Sequence, residues 1–128
     1  MNEDGATRPT DAELAILRVL WREGPSTVRA VQEASEGGQG YTTVLKLLQI
    51  MAAKGLVDRD ESRRSHVYRA RRPEGETQGR LVDDLMERAF GGSASRLVMQ
   101  ALASKRATPA ELDAIRRRID ELAGGGGS

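Results

Sequence analysis

The stretch YTTVLKLLQIMAAKGL, residues 41–56, decides how the rest of the chain is interpreted. Four of its apolar residues recur at three- and four-residue steps, the spacing that lines one side of a helix. They are Val44, Leu47, Leu48 and Met51. Lys54 and Gly55 form a stop signal, because a cation suits the carbonyl end of a helix and glycine accepts the positive φ that follows it. Alone, the pattern predicts an amphipathic helix whose simplest role is to pack in a core.

The composition limits the classes of protein to consider. A chain of 128 residues can form one compact domain, or a small domain with an oligomerisation segment. One Phe, one Trp and two Tyr leave an interior of mainly aliphatic side chains, which favours helices. The absence of Cys excludes disulfides and thiolate metal sites, and a single His argues against an imidazole metal site or a catalytic triad. No apolar run approaches the roughly 20 residues that span a bilayer, and no signal peptide is evident, so we expect a cytoplasmic protein without membrane insertion.

Basic charge is concentrated in the middle of the chain. Residues 1–40 have a net charge of −3 and residues 73–128 a net charge of −1, whereas residues 41–72 carry +5 from eight basic and three acidic side chains. This concentration is the electrostatic footprint of a protein that meets phosphate, although a solvated basic face is the commoner explanation where no motif accompanies it. The neighbouring segments decide between the two.

Two helices are predicted before residue 41. Thr10 and Glu13 have the spacing of a capping box, which indicates the start of a helix. Its apolar stripe is Leu14, Leu17, Leu20 and Trp21, with Ile16 beside them. Gly24 ends this helix, and Ser26 is the predicted cap of a second, shorter helix that runs to about residue 35. Residues 36–40 then form a Gly-rich turn.

The residues after the third helix predict a hairpin. Residues 56–60 and 66–70 contain β-branched or aromatic residues and flank a charged loop. Two helices, a Gly-containing turn, a third helix and an arginine-bearing hairpin follow each other in the order of a winged helix-turn-helix DNA reader. We therefore expect a mainly α fold with a small β-hairpin wing, in which a winged-helix DNA-binding domain covers residues 10–72 after a flexible arm at residues 1–9.

Residues 73–123 predict a helical dimerisation domain. Its helices cover residues 77–90, 93–104 and 108–122, and apolar residues in the last one have the three, four, three spacing of a two-helix seam. Such short helices need packing partners, and a winged reader usually binds a two-fold site as a dimer, which favours dimerisation through this half. The alternative is that this half completes the core of a monomer. Residues 124–128 are interpreted as a flexible tail or cloning scar. The predicted dimer contacts are Leu81, Leu85, Phe90, Leu97, Leu112, Ile115, Ile119 and Leu122.

Five short motifs follow each other in a characteristic order between Thr10 and Leu122. They are ELAILRVLW at 13–21, YTTVL at 41–45, KGLV at 54–57, HVYRA at 66–70 and FGGS at 90–93. Their order and spacing resemble those of the BlaI/MecI penicillinase-repressor family of bacterial transcriptional regulators. The resemblance implies an N-terminal winged-helix domain and a C-terminal dimerisation domain. It also implies a homodimer that binds a palindromic operator in double-stranded DNA and represses transcription.

The resemblance further implies roles for single residues. The part of the family's recognition helix that faces the major groove matches Thr42, Thr43, Lys46 and Gln49, and the wing contains Arg63 and Arg64. Glutamine can pair with adenine and lysine can reach guanine or phosphate, so these residue types suit groove contact. Tyr41 either bonds a phosphate through its hydroxyl or closes the turn before the helix.

The resemblance leaves the inducing signal open. In the beta-lactam branch of the family, a membrane sensor with a metalloprotease domain triggers cleavage of the repressor at an Asn-Phe bond. The matching place in this sequence is the bond between Gln100 and Ala101, which implies a sensor or protease partner but departs from the family's residues. The copper-sensing branch carries paired cysteines near its C-terminus, and this chain has no Cys. Copper binding of that type is therefore excluded.

Several residues keep two interpretations. Thr42 and Thr43 either cap the third helix or contact DNA. Leu45 and Ile50 project off the apolar stripe, so either they pack on the neighbouring helix or wing, or Leu45 touches a thymine methyl group. His66 is expected to be a structural or phosphate-facing residue rather than a metal ligand or a base.

Two functions from different classes remain at this point. The first is a DNA-binding repressor without catalytic activity, and the second is a winged-helix interaction module that binds an acidic protein partner. An enzyme is the poorest option, because the sequence contains no paired acid and base, phosphate-cradling Gly loop or activated nucleophile. No metal or cofactor is expected.

Overall fold

The computed structural model describes residues 8–125. The chain forms two compact units, one up to Gly79 and one from Arg80 onward. Residues 1–7 of the predicted arm and residues 126–128 of the predicted tail lie outside the described part. The domain boundary expected after residue 72 stays a prediction, because the helix that follows begins in the first unit and ends in the second.

The predicted fold class is confirmed, since the described residues form mainly α-helices with a small antiparallel sheet. The helices are α1 (Asp11–Glu23), α2 (Val28–Ala34), α3 (Tyr41–Lys54), α4 (Glu74–Ala89), α5 (Ala94–Ala103) and α6 (Pro109–Asp120). The strands are β1 (Ser26–Thr27), β2 (Val57–Asp60) and β3 (Val67–Ala70), and a π-helical turn, Glu121–Gly125, follows α6. No helix among residues 8–125 is both long and apolar enough to span a membrane.

The helix starts follow largely from capping side chains. Thr10 Oγ1 accepts the N–H of Glu13 at 3.2 Å and Glu13 Oε1 accepts the N–H of Thr10 at 2.9 Å, so the predicted capping box of α1 is confirmed. Thr108 and Glu111 form the same box at α6. Ser93 caps α5 as a single acceptor. Each cap pairs a backbone donor that the first turn of a helix would otherwise leave without a partner.

Two predicted helix starts were wrong. Ser26 does not cap α2, because it belongs to β1 and its hydroxyl donates to the carbonyl of Gly24 at 2.8 Å. The cap is Thr27, whose Oγ1 accepts the N–H of Ala30 at 3.1 Å. The helix expected from residue 77 begins at Glu74, directly after Pro73, whose carbonyl already accepts the N–H groups of the next turn.

The sheet joins the wing to the chain that precedes α2. Its strand order is β1-β3-β2, all antiparallel, so β3 has a neighbour on both sides. Tyr68 on β3 lies opposite Ser26 on one side and Arg59 on the other, and it is 1% exposed. The predicted hairpin is confirmed, but the short strand β1 was not predicted. A two-residue strand gives no alternation from which it could be recognised.

The first unit has its own hydrophobic core. The buried cluster is Ile16, Leu17, Leu20, Val28, Val31, Val44, Leu48, Met51, Leu56, Val57 and Tyr68. Leu14 and Trp21, which the stripe of α1 predicted as core residues, are only partly buried against this cluster, and Trp21 Nε1 donates to the carbonyl of Arg72 at 3.0 Å. Val19 is buried although it was not predicted to be. The core therefore holds α1, α2, α3 and the base of the wing together.

Candidate nucleic-acid interface

Helix α3 separates a buried face from an exposed polar face. The buried face contains Val44, Leu48 and Met51, each with no exposed surface, and Leu47 is partly buried beside them. The exposed face contains Thr42, Thr43, Lys46 and Gln49. Because positions 42, 46 and 49 are separated by four and three residues, their side chains lie along one side of the helix, where together they can face a partner.

The two threonines of α3 stand inside the first turn of the helix. The residue at the N-cap position is Gly40, and no side chain makes a capping hydrogen bond there. Thr42 and Thr43 are therefore not the caps, and both side chains are exposed. The capping interpretation is therefore wrong, and contact of these two threonines with DNA stays a prediction.

The two apolar residues off the stripe behave differently from each other. Leu45 is partly buried and packs against the core cluster, as expected for the packing alternative. Ile50 is 41% exposed and is not among the side chains that pack against the core cluster, so its packing on a neighbouring helix or on the wing stays a prediction. Ile50 stands one turn after Lys46 and therefore belongs to the exposed side of α3.

An ion pair anchors the end of α3 to the start of α1. Lys54 Nζ donates to Glu13 Oε1 at 2.6 Å and to the carbonyl of Arg8 at 3.2 Å. Glu13 is 2% exposed. Burial of its carboxyl acts to raise the pKa of Glu13, but hydrogen bonds from Lys54 and from the N–H of Thr10 together outweigh burial, and the pKa lies below its ordinary value. Both helices are thereby fixed relative to each other at the end of α3 away from the exposed threonines.

Ion pairing divides the basic residues of the +5 segment into two groups. Five of them have an acidic partner, in the pairs Lys54–Glu13, Arg59–Glu61, Arg69–Asp58, Arg71–Asp58 and Arg72–Glu76. Within residues 8–125, no ion pair is formed by Lys46, Arg63 or Arg64, and all three are exposed. Because Asp58 is shared by two arginines, these pairs leave one positive charge over. Neutralised charges contribute little to an external field, so the rest of the positive field of this segment comes from Lys46, Arg63 and Arg64.

A turn shapes the tip of the wing. Asp60 Oδ1 accepts the N–H of Ser62 at 2.9 Å, an Asx-type turn directly after β2. The hydroxyl of Ser62 lowers the pKa of Asp60 most, followed by the N–H of Ser62 and by the charges of Arg63 and Arg69. Every residue from Glu61 to His66 is exposed, so Arg63 and Arg64 extend from a closed turn into solvent.

A groove lies beside α3, between α2 and the wing. It has a volume of about 580 Å³. Its lining residues are Thr27, Val28, Arg29, Ala30, Glu33, Tyr41, Arg64, Ser65 and His66. The groove brings together the predicted site residues Tyr41 and Arg64, whereas the other predicted residues lie outside it. Sequence reasoning missed Arg29, although a basic residue on the second helix of a helix-turn-helix was a signal that could have found it.

The second unit exposes most of its apolar residues. None of residues 80–124 is buried. Among the predicted dimer contacts, Leu81, Phe90, Leu97 and Ile115 are partly exposed, and Leu85, Leu112, Ile119 and Leu122 are exposed. Leu122 is 63% exposed, and so is Met99, which was not predicted as a contact. Gln100 and Ala101 are exposed side chains inside α5. An apolar surface of this kind on three short helices is typical of an interaction surface.

Comparison with known proteins identifies the family. A family model described as the penicillinase repressor matches residues 9–121. The protein named transcriptional regulator BlaI, from two strains of Mycobacterium tuberculosis, is 36% identical over 126 residues, which covers 95% of this chain and 90% of the relative. These matches are to regulators of transcription and not to enzymes. The resemblance of the five sequence motifs is thereby confirmed, and the chain belongs to the penicillinase repressor family.

Proposed function

We propose that this transcriptional repressor binds duplex DNA as a homodimer, with α3 in the major groove and the tip of the wing on the sugar-phosphate backbone. One observation carries the proposal. The face of α3 opposite its buried side presents Thr42, Thr43, Lys46 and Gln49. Among residues 8–125, three basic residues of the +5 segment have no acidic partner, and all three stand on this face or at the wing tip. A polar helix face beside unneutralised arginines suits a partner that offers both base edges and phosphates.

The residue types suggest a division of roles in this interface. Lys46 and Gln49 can reach base edges, since lysine donates to guanine and glutamine pairs with adenine. The exposed Ile50 adds an apolar group that suits a thymine methyl. Arg63 and Arg64 fit phosphates, which hold the protein in register but carry no sequence information. Base choice would thus rest on α3 and salt-dependent affinity on the wing.

We attribute dimerisation to the second unit. Its apolar residues lack a covering element among residues 80–125, and burial against an equivalent surface would remove them from water. A two-fold dimer presents two copies of α3 to a palindromic operator, whose half-sites lie about 34–36 Å apart or a multiple of that distance. Leu112, Ile119 and Leu122 are central to the proposed contact because they are the exposed part of the predicted seam.

Release from the operator would involve the second unit in this proposal. Cleavage at the bond between Gln100 and Ala101 would cut α5, a helix that holds apolar residues of the proposed dimer contact. The bond lies within regular helix, so a protease partner would need α5 to unwind locally before it could act. Loss of the dimer then removes the second half-site contact and with it the operator affinity.

The decisive experiment combines selection of bound DNA from a random pool with footprinting of the selected sequence. We expect a palindromic footprint, and we expect Lys46→Ala to relax base choice at one position per half-site at a cost of about 1–3 kcal/mol. Arg63→Ala should weaken binding to all sequences and lower the salt slope by about one. Arg18→Ala, which removes an exposed cation from α1, is the control and should change neither property. Recovery of no palindrome, together with a salt slope near zero, would instead favour an acidic protein as the partner.

A further inference from the structure

The groove between α2 and the wing contains three groups that the proposed function has not used, from Arg29, Tyr41 and His66, beside Arg64, which it already assigns to a phosphate. Arg29 comes from α2, Tyr41 from the start of α3, and Arg64 and His66 from the wing. All four side chains are exposed. Three separate elements therefore bring two guanidinium groups, a phenol and an imidazole to one depression of about 580 Å³.

Arg29 is held over the ring of Tyr41. Its guanidinium carbon lies 5.4 Å from the ring centroid, within the roughly 6 Å range of a cation–π contact. This contact restrains a long side chain that would otherwise sample many rotamers, so less conformational entropy is lost when it binds a partner. The charge remains available, because within residues 8–125 Arg29 forms no ion pair. The ring of Tyr41 thus serves as a platform that directs a guanidinium into the groove.

We propose that this groove binds a phosphodiester of the DNA backbone, with Arg29 as its main ligand and Arg64 and His66 as further donors. The proposal rests on the proposed function and adds a phosphate contact outside both the polar face of α3 and the tip residue Arg63. A guanidinium suits this role because its planar donors match two phosphate oxygens at once. Tyr41 acts as a positioning residue in this arrangement through its ring.

Glu33 gives the groove an opposing charge. It lies on α2, one turn after Arg29, and it lines the same depression. A carboxylate repels a phosphate in the groove, so Glu33 should weaken the contact that Arg29 makes. A neutral residue at position 33 would therefore raise the affinity for DNA above that of the wild type. This expected gain distinguishes the proposal from a groove that merely solvates charged side chains.

The first test measures binding to a duplex of arbitrary sequence over a range of salt concentrations, with Arg29→Ala compared with Arg18→Ala. One lost phosphate contact lowers the salt slope by about 0.9, so between 50 and 200 mM salt the wild type should lose about 3.5-fold more affinity than Arg29→Ala does. Arg29→Lys should restore the slope, because the charge is retained. Arg18→Ala should follow the wild type, and circular dichroism should show equal helix content in all variants.

The second test examines the same duplex with Glu33→Gln and with Glu36→Gln, which removes an exposed carboxylate that does not line the groove. Glu33→Gln should bind about two- to fivefold more tightly, the range for one screened surface charge, and Glu36→Gln should bind like the wild type. If the wild type binds with a steep salt slope but Arg29→Ala and Arg18→Ala behave alike, the groove contact is overturned and the proposed function stands. A wild type that binds no duplex overturns both.

A third measurement locates the contact on the DNA. Ethylation of single phosphates in the selected operator should interrupt binding of the wild type at a set of positions. With Arg29→Ala, interference at one phosphate per half-site should disappear while the others persist. An unchanged interference pattern would contradict the assignment of Arg29 to a phosphate, whatever the effect on affinity.

Discussion

Replacement of Glu13 by glutamine tests how the end of the proposed recognition helix is anchored. Glutamine occupies nearly the same volume and can still accept the N–H of Thr10, so the capping box of α1 should survive Glu13→Gln. What is lost is the charge that receives Lys54 at 2.6 Å. The change therefore isolates the ion pair between α1 and α3 from the cap that shares the same side chain.

The magnitude follows from the burial of the two partners. Glu13 is 2% exposed, whereas the side chain of Lys54 is 22% exposed. Lys54 also donates to the carbonyl of Arg8. Lys54 can thus be partly solvated after the change, and the cost should be that of one charge-assisted hydrogen bond rather than of an isolated buried ion. We expect the free energy of unfolding to fall by about 1.5–3 kcal/mol at neutral pH.

The pH dependence has a definite sign. Because the pKa of Glu13 is lower in the folded chain than its ordinary value of 4.5, the ion pair contributes its full stability above that value and loses it as the pH falls through the folded pKa. The difference between wild type and Glu13→Gln should therefore shrink progressively below about pH 4.5. Glutamine at this position does not titrate, so the variant should lack this part of the acid sensitivity.

Trp21 provides the assay, because it is the single tryptophan and it belongs to the first unit. Urea unfolding followed by its fluorescence reports on this unit. The control is Thr10→Ala, which removes the hydroxyl that accepts the N–H of Glu13 but leaves the ion pair, and it should cost about 1 kcal/mol. This variant should keep most of the acid sensitivity, because the side chain of Thr10 lowers the pKa of Glu13 less than Lys54 does. Two results would refute the reasoning. One is a fall in the free energy of unfolding of no more than about 0.5 kcal/mol in Glu13→Gln, which is roughly the smallest net contribution of one hydrogen bond. The other is a fall of equal size at neutral pH and well below pH 4.5.

Three further changes have expected outcomes. Leu112→Asp places a charge in the proposed seam, so sedimentation should show monomers where the wild type is a dimer, and an unchanged dimer would remove Leu112 from the interface. Leu48→Ala creates a cavity at a side chain with no exposed surface, and urea unfolding should show a loss of about 2–5 kcal/mol. Gly55→Ala imposes a Cβ at a φ of +83°, 2.9 Å from Arg71 Nη1, and should cost about 1–2 kcal/mol in the same assay, whereas a neutral effect would show that the turn relaxes.

The elements that sequence predicted well are those with local signals. The capping box of Thr10 and Glu13 and the glycine stop at Gly55 each depend on residues within one or two turns, and both occur as predicted. The stripe of α3 likewise identified Val44, Leu48 and Met51 as buried residues. A helix carries such information in its own sequence because its contacts recur at fixed short spacings.

The features that sequence missed depend on residues far apart along the chain. Pairing of Ser26 with Tyr68 converts a predicted helix cap into a strand residue, and no pattern near Ser26 reveals that partner. The groove that joins Arg29 to the wing arises in the same way, since α2 and the hairpin meet only after the chain has folded. The pairing of charges also depends on the fold. The basic residues can be counted in the sequence, but which of them are neutralised by an acidic partner is seen only in the structure.

The dual position of Thr27 restricts how the length of this chain can vary. Thr27 is the last residue of β1 and also the N-cap of α2, so no residue separates the sheet from the helix. An insertion there would shift every later position of α2 by about 100° around its axis and break either the strand pairing or the cap. The turn of residues 35–40 and the wing tip of residues 61–66 have no such double constraint. Insertions and deletions among homologues should therefore concentrate in those two loops and avoid the junction at Thr27.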